Sequence, residues 1–281
     1  MDLTEERFRA LARSAPWRWR TLRFTTGRRR TGEHRAVHTV RAYVRKPGRQ
    51  RVETLDGVVL DRSTDPDTTE PPVVDLDADG LLAHRPDQVP AVRFSCEPPM
   101  YENYHWVAML DPYELTDGWS FGDDGDNTDG DDRDGPATST EILELTEVEH
   151  HGRPAWQARL RTTRFYDPRC GCCPLLYSAE SEAAENHEPP HGTVFADTYV
   201  IRLDVATGVC VYSEDVGGTD SGQGHDVAIE GADEDMPDEL FGKPRSHRHR
   251  FQMYRTADEP GMSAAYRDDA TPGRFIAGPD E

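Results

Sequence analysis

The sequence predicts an α+β protein, one antiparallel sheet carrying a few short helices. Stretches of alternating apolar and polar residues follow one another through tight turns, and Asp56-Gly57 is the strongest two-residue hairpin signal among them. One segment, residues 98–115, abandons that alternation for a dense apolar and aromatic run broken by Pro112.

The elements follow in chain order. Asp2 and Glu5 have capping-box spacing, and Phe8, Leu11, Ala12 and Ala15 share a helical face that Pro16 is expected to end. Residues 17–24 alternate bulky and basic side chains as a strand does, ahead of a turn around Gly27 to Gly32. Residues 34–46 place Val40, Ala42 and Val44 on one face, and Lys46-Pro47-Gly48-Arg49 makes the next turn. Residues 51–55 and 58–60 flank Asp56-Gly57. A loop rich in Asp, Thr and Pro follows at 61–72, and a further turn is expected at Asp79-Gly80.

Residues 98–115 read as one or two short helices packed on the sheet. Residues 141–148 and 154–163 form a hairpin whose second strand directs Trp156, Ala158 and Leu160 to one side. Tyr199, Ile201, Leu203 and Val205 define the face of a later hairpin that turns at Thr207-Gly208. A last strand is expected near residues 226–229. The expected organisation is a single domain over 1–242, interrupted by a disordered acidic insertion at 117–136 and followed by a loosely ordered tail, 243–281. Calcium does not suit the insertion: with Asp124 as first ligand, Asp129 falls where the loop needs glycine and Gly135 where it needs glutamate.

Charge divides the chain. Its formal net charge is -21, which argues against general nucleic-acid or anionic-membrane binding, yet residues 1–51 carry 15 Lys and Arg against 4 Asp and Glu. The basic end is expected either to pair with the chain's own acidic remainder or to contact an acidic partner. Lys46 and Lys243 are the only lysines and no Gly-Lys-Ser/Thr phosphate loop occurs, which excludes the usual ATP and pyridoxal phosphate chemistries. The start, Met1-Asp2-Leu3-Thr4-Glu5-Glu6, lacks a basic, apolar leader and no apolar run has spanning length, so the expectation is a cytoplasmic protein with reduced cysteines.

Four segments carry a family likeness: Val40-Arg41-Ala42-Tyr43-Val44-Arg45-Lys46-Pro47-Gly48-Arg49-Gln50-Arg51-Val52-Glu53 with its Asp56-Gly57 turn; Val148-Glu149-His150-His151-Gly152-Arg153-Pro154-Ala155-Trp156; Tyr199-Val200-Ile201-Arg202-Leu203-Asp204-Val205-Ala206-Thr207-Gly208; and Met236-Pro237-Asp238-Glu239-Leu240-Phe241. Together these resemble the LolA/LppX/RseB-like, lipoprotein-carrier-like superfamily. The resemblance implies a strongly curved antiparallel sheet, an open half-barrel wrapped around short helices. It also implies a non-enzymatic binding protein holding a lipophilic ligand, either an apolar small molecule or an extended protein segment, in the concave face. Met100, Tyr101, Tyr104, Trp106, Met109 and Tyr113 would then line the pocket; as residues alone they suit core filling better. The cysteine run lies outside that family's pattern.

Chemistry concentrates in Arg169-Cys170-Gly171-Cys172-Cys173-Pro174. Close soft thiols suit zinc or copper(I), and the metal set is Cys170, Cys172 and Cys173 with His187 and His191; Cys210 and Cys96 are further sources of a fourth ligand. A redox-responsive module and small thiols packed in a Pro-flanked loop are the other readings. No motif demands a cofactor; zinc is the one the thiols would take. His187-Glu188-Pro189-Pro190-His191 matches the letters of a zinc-peptidase motif, but its two prolines forbid the helix that chemistry needs. No nucleophile and base pairing is recognisable, so nothing identifies an enzyme.

Overall fold

The computed structural model describes residues 2–30, 37–64, 68–82, 97–118, 137–184 and 189–242. The described residues belong to one compact unit. The expected tail, most of the acidic insertion, His187 and Cys96 lie outside the described residues.

The chain enters through helix α1 (Glu5–Arg18) and runs through β1 (Thr21–Arg29), β2 (Val37–Arg45), β3 (Arg49–Thr54) and β4 (Val59–Thr64). A crossing segment holds α2 (Tyr104–Leu110) and a 3-10 turn (Tyr113–Leu115), after which β5 (Thr140–His150) and β6 (Arg153–Thr162) form a hairpin. The loop bearing the thiols leads through α3 (Ala179–Ala184) into β7 (Thr198–Asp204), β8 (Cys210–Val216) and β9 (Gly224–Ala232), with a last turn of helix, α4 (Asp238–Phe241). These make an open sheet of nine strands in the order β4-β3-β2-β1-β9-β8-β7-β6-β5. All the pairings described for it are antiparallel.

The alternating patterns therefore mark real strands, with shifted bounds. Trp17 and Arg18 belong to α1, and β1 continues to Arg29 through the expected turn. Thr4, not Asp2, caps α1: its Oγ1 accepts from Arg7 N–H at 3.2 Å. Pro16 does not end the helix, because Lys46 Nζ donates to the carbonyls of Ala15 and Pro16, and Arg18 is anchored to the carbonyls of Asp79, Gly80, Val205 and Ala206.

Both main helices pack on the sheet through apolar side chains. Phe8, Leu11 and Ala12 of α1 meet Trp156, Ala158, Leu160, Tyr199, Ile201 and Leu203. Trp106, Met109 and Leu110 of α2 meet Leu22, Phe24, Ala42, Val44, Val52, Val211 and Val227. Full burial of each such large side chain contributes roughly 1.5–3 kcal/mol. The β7–β8 turn closes against α1 at Gly208, where φ is +74°. A methyl group added there would stand 2.7 Å from the Leu11 carbonyl oxygen, so only glycine fits the turn.

The basic N-terminal residues find carboxylates of the same chain. Arg7 pairs with Asp79, Arg13 with Asp117, Arg23 with Glu230 and Glu234, Arg28 with Glu102, Arg29 with Glu214, and Arg45 and Arg49 share Asp238. Charge asymmetry along the sequence thus becomes charge pairing in the fold. Asp117, at the head of the expected acidic insertion, belongs to the packed part: Arg13 grips both its oxygens at 3.0 Å.

Candidate soft-metal site

The loop between β6 and α3 is fixed to the crossing segment by two buried groups. Glu114, fully buried in the 3-10 turn, accepts from the backbone N–H of Arg169 at 3.0 Å, the backbone N–H of Leu175 at 2.7 Å and the Tyr166 hydroxyl at 3.1 Å. One carboxylate therefore holds the loop on both sides of the cysteines. The Arg169 side chain, 2% exposed, pairs with Glu97 and Asp111, donates to the Asp111 carbonyl at 2.9 Å and lies 4.7 Å over the Tyr113 ring. Burial alone would lower its pKa, but Asp111 and Glu97 outweigh that and hold it charged above its ordinary value.

On this frame the Cys170 and Cys172 sulfurs stand 2.7 Å apart and the Cys172 and Cys173 sulfurs 3.7 Å apart. All three Sγ atoms lie within 4.8 Å of one another. Cys172 is exposed, and Cys170 and Cys173 are half-buried. Burial first, then the neighbouring Cys170 and Cys172, push the Cys173 thiol up, opposed by the backbone N–H of Tyr104 at the start of α2.

The other expected ligands are placed elsewhere. His191 is exposed in the turn after Pro190 and is outside the convergent set. Cys210 is fully buried in β8, its thiol directed at the Tyr212 carbonyl, and burial holds it protonated well above its ordinary pKa. The aromatic stretch splits. Trp106, Met109 and Tyr113 are buried in the core, with Trp106 Nε1 donating to buried Gln50 at 2.9 Å, while Met100, Tyr101 and Tyr104 are half-buried beside them. A cavity of about 320 Å³ lies at the other end of α1, lined by Trp17, Trp19, Arg20, Lys46, Glu70 and Asp233 among others.

A further cluster, His150, His151 and Asp226, also brings ligand-type atoms within 4.8 Å. Its hydrogen bonds decide against a metal. Arg202 donates to His150 Nδ1 at 3.1 Å, so Nε2 carries the proton and shares it between the Val227 carbonyl at 3.0 Å and Asp226 Oδ1 at 3.4 Å. His150 is buried in the hairpin, and neither of its ring nitrogens has a lone pair left for an ion. Burial would raise Asp226, but hydrogen bonds from His150 and His151 bring it to about 2.

Sequence reading missed a histidine pair next to the thiol loop, His105 half-buried and His225 buried. His105 of α2 donates from Nδ1 to the Pro174 carbonyl at 2.8 Å, and His225 of β9 from Nε2 to the Cys210 carbonyl at 2.8 Å. Their remaining nitrogens face each other at 2.9 Å, and the Ser213 hydroxyl lies 2.9 Å from His225 Nδ1. Burial, reinforced by His105, pushes His225 down to about 3. The pair joins Pro174 to β8 and β9. Contacts across 69 and 120 positions of sequence create it, and no local pattern announces it.

No protein-family model matches the chain. A search of curated proteins likewise finds no match. Among the described residues, no helix is long and apolar enough to cross a membrane.

Proposed function

We propose that the chain is a soft-metal-binding module, with Cys170, Cys172 and Cys173 holding one zinc ion or an ion of similar softness through thiolate sulfur. The observation that carries this is the convergence of three sulfurs within 4.8 Å on one loop. Zinc–sulfur bonds of about 2.3 Å in a tetrahedron place the sulfurs roughly 3.8 Å apart. The Cys172 to Cys173 separation of 3.7 Å already has that value, and the closer Cys170 to Cys172 contact opens by about 1 Å on reaching it.

Exposure separates these thiols from packing groups. Cys210 has the surroundings of a structural thiol, fully buried among Leu, Ile and Trp side chains. Of the loop cysteines, Cys172 is exposed and Cys170 and Cys173 are half-buried, so the cluster is open on one side to a ligand from solvent. The fourth zinc position falls to water or an external ligand, as in zinc sites that keep an open place. Chelation also fastens the link between β6 and β7, so the metal stabilises the fold by mass action, about 2.7 kcal/mol at a free concentration 100 times its Kd.

The test is elemental analysis of the purified full chain combined with thiol titration before and after chelator. One metal per chain, with three thiols becoming reactive only after chelation, supports the reading. Three freely reacting thiols and no metal on zinc supplementation overturn it.

A further inference from the structure

We propose that the same three thiols take up trivalent arsenic of the arsenous-acid class as a three-coordinate trithiolate. This rests on the reading of the loop as an open soft-ligand site and names a second class of ligand for it.

The composition of the site points this way. The convergent set among the described residues is three sulfurs, with no nitrogen or carboxylate oxygen in it. Zinc needs a fourth donor from outside that set. Trivalent arsenic does not, because its lone pair occupies the remaining direction and three sulfurs complete a pyramid. Soft sulfur is the donor such a centre prefers.

Access and preorganisation agree with composition. Cys172 is exposed and opens the site to solvent, while Cys170 and Cys173 stand half-buried beside it. Glu114 ties the loop at Arg169 and at Leu175, so the sulfurs are gathered before any ligand arrives. Little ordering is then left to oppose binding. The net charge of -21 repels oxyanions, whereas arsenous acid is uncharged at neutral pH.

The reaction balances without a redox partner. Arsenous acid, As(OH)3, condenses with three thiols; three As–O bonds break and three As–S bonds form. Each thiol proton leaves with a hydroxyl as water, giving three waters, and arsenic remains trivalent throughout.

The test uses the full chain, freed of metal by chelator under reducing conditions, with sodium arsenite as probe. Native mass spectrometry should show one adduct, heavier by an arsenic atom less three hydrogens, and thiol titration should show the three loop thiols protected. Cys170→Ser, Cys172→Ser and Cys173→Ser should each weaken arsenite binding at least tenfold, with circular dichroism unchanged. Arsenite that leaves the three thiols reactive in the parent overturns the proposal whatever the variants do. So does an adduct that survives Cys173→Ser undiminished. Zinc binding without arsenite binding removes this inference and leaves the soft-metal reading standing; arsenite protection without any zinc binding removes zinc and keeps the trithiolate.

Discussion

Replacing Glu114 with alanine tests how the fold holds the thiol loop. The carboxylate is fully buried and accepts from two backbone N–H groups and one hydroxyl, at 3.0, 2.7 and 3.1 Å. Each buried donor left without an acceptor costs about 1–3 kcal/mol, and water entering the space recovers part of that. The expected loss for Glu114→Ala is therefore about 4 kcal/mol, a large share of the ~5–15 kcal/mol that folded domains possess. Glu114→Gln separates the contributions. Its remaining oxygen, placed as Oε1, still accepts from Tyr166 and Leu175, while its amide faces the Arg169 N–H donor to donor. About half the loss is expected for it, ~2 kcal/mol. Equilibrium urea unfolding followed by tryptophan fluorescence measures both. A Glu114→Ala protein within about 1 kcal/mol of the parent would refute the idea that this carboxylate fastens the loop.

Other parts of the fold respond in predictable directions. Gly208→Ala should destabilise by about 2–4 kcal/mol in the same assay, since φ is +74° and the added methyl meets the Leu11 carbonyl at 2.7 Å; an unchanged midpoint would contradict the packing of the β7–β8 turn on α1. Burial, with Asp220 and Glu214 adding repulsion, raises Asp215 to about 7. The unfolded chain loses that proton at lower pH, so stability falls as pH rises through the interval up to about 7 and is level above it. Asp215→Asn should accordingly stabilise by about 2 kcal/mol at pH 8 and have no such effect at pH 4, checked by thermal melts at both values. His225 has the opposite sense: its folded pKa, about 3, lies below the ordinary value, so its contribution is complete above about pH 6.5 and is lost as pH falls toward 3. A stability curve flat across that interval, or one unchanged by His225→Asn, would refute it.

Much of the sheet was legible because a strand's period of two writes itself into the residues. Trp156, Ala158 and Leu160 alternate in sequence and are all buried in β6. What joins the two halves was not legible. Phe24 of β1 pairs with Ile229 of β9, and nothing local in either strand selects a neighbour some 200 positions away. Helix ends were misjudged for the same reason: Pro16 argues for a stop, and only the long-range contacts of Lys46 and Arg18 keep α1 going to Arg18. The thiols were visible as a site because their spacing is short and their chemistry distinctive. Glu114, His105 and His225 were invisible, since an isolated glutamate or histidine has no pattern until the fold surrounds it.

The thiol count, taken with metal content, bears most directly on the proposed function. Full chain purified with zinc present should carry one zinc, hide Cys170, Cys172 and Cys173 from a thiol reagent and release all three on chelation, with Cys210 reacting only after unfolding. Three loop thiols that react at the same rate with and without chelator, in a protein holding no metal, would contradict it.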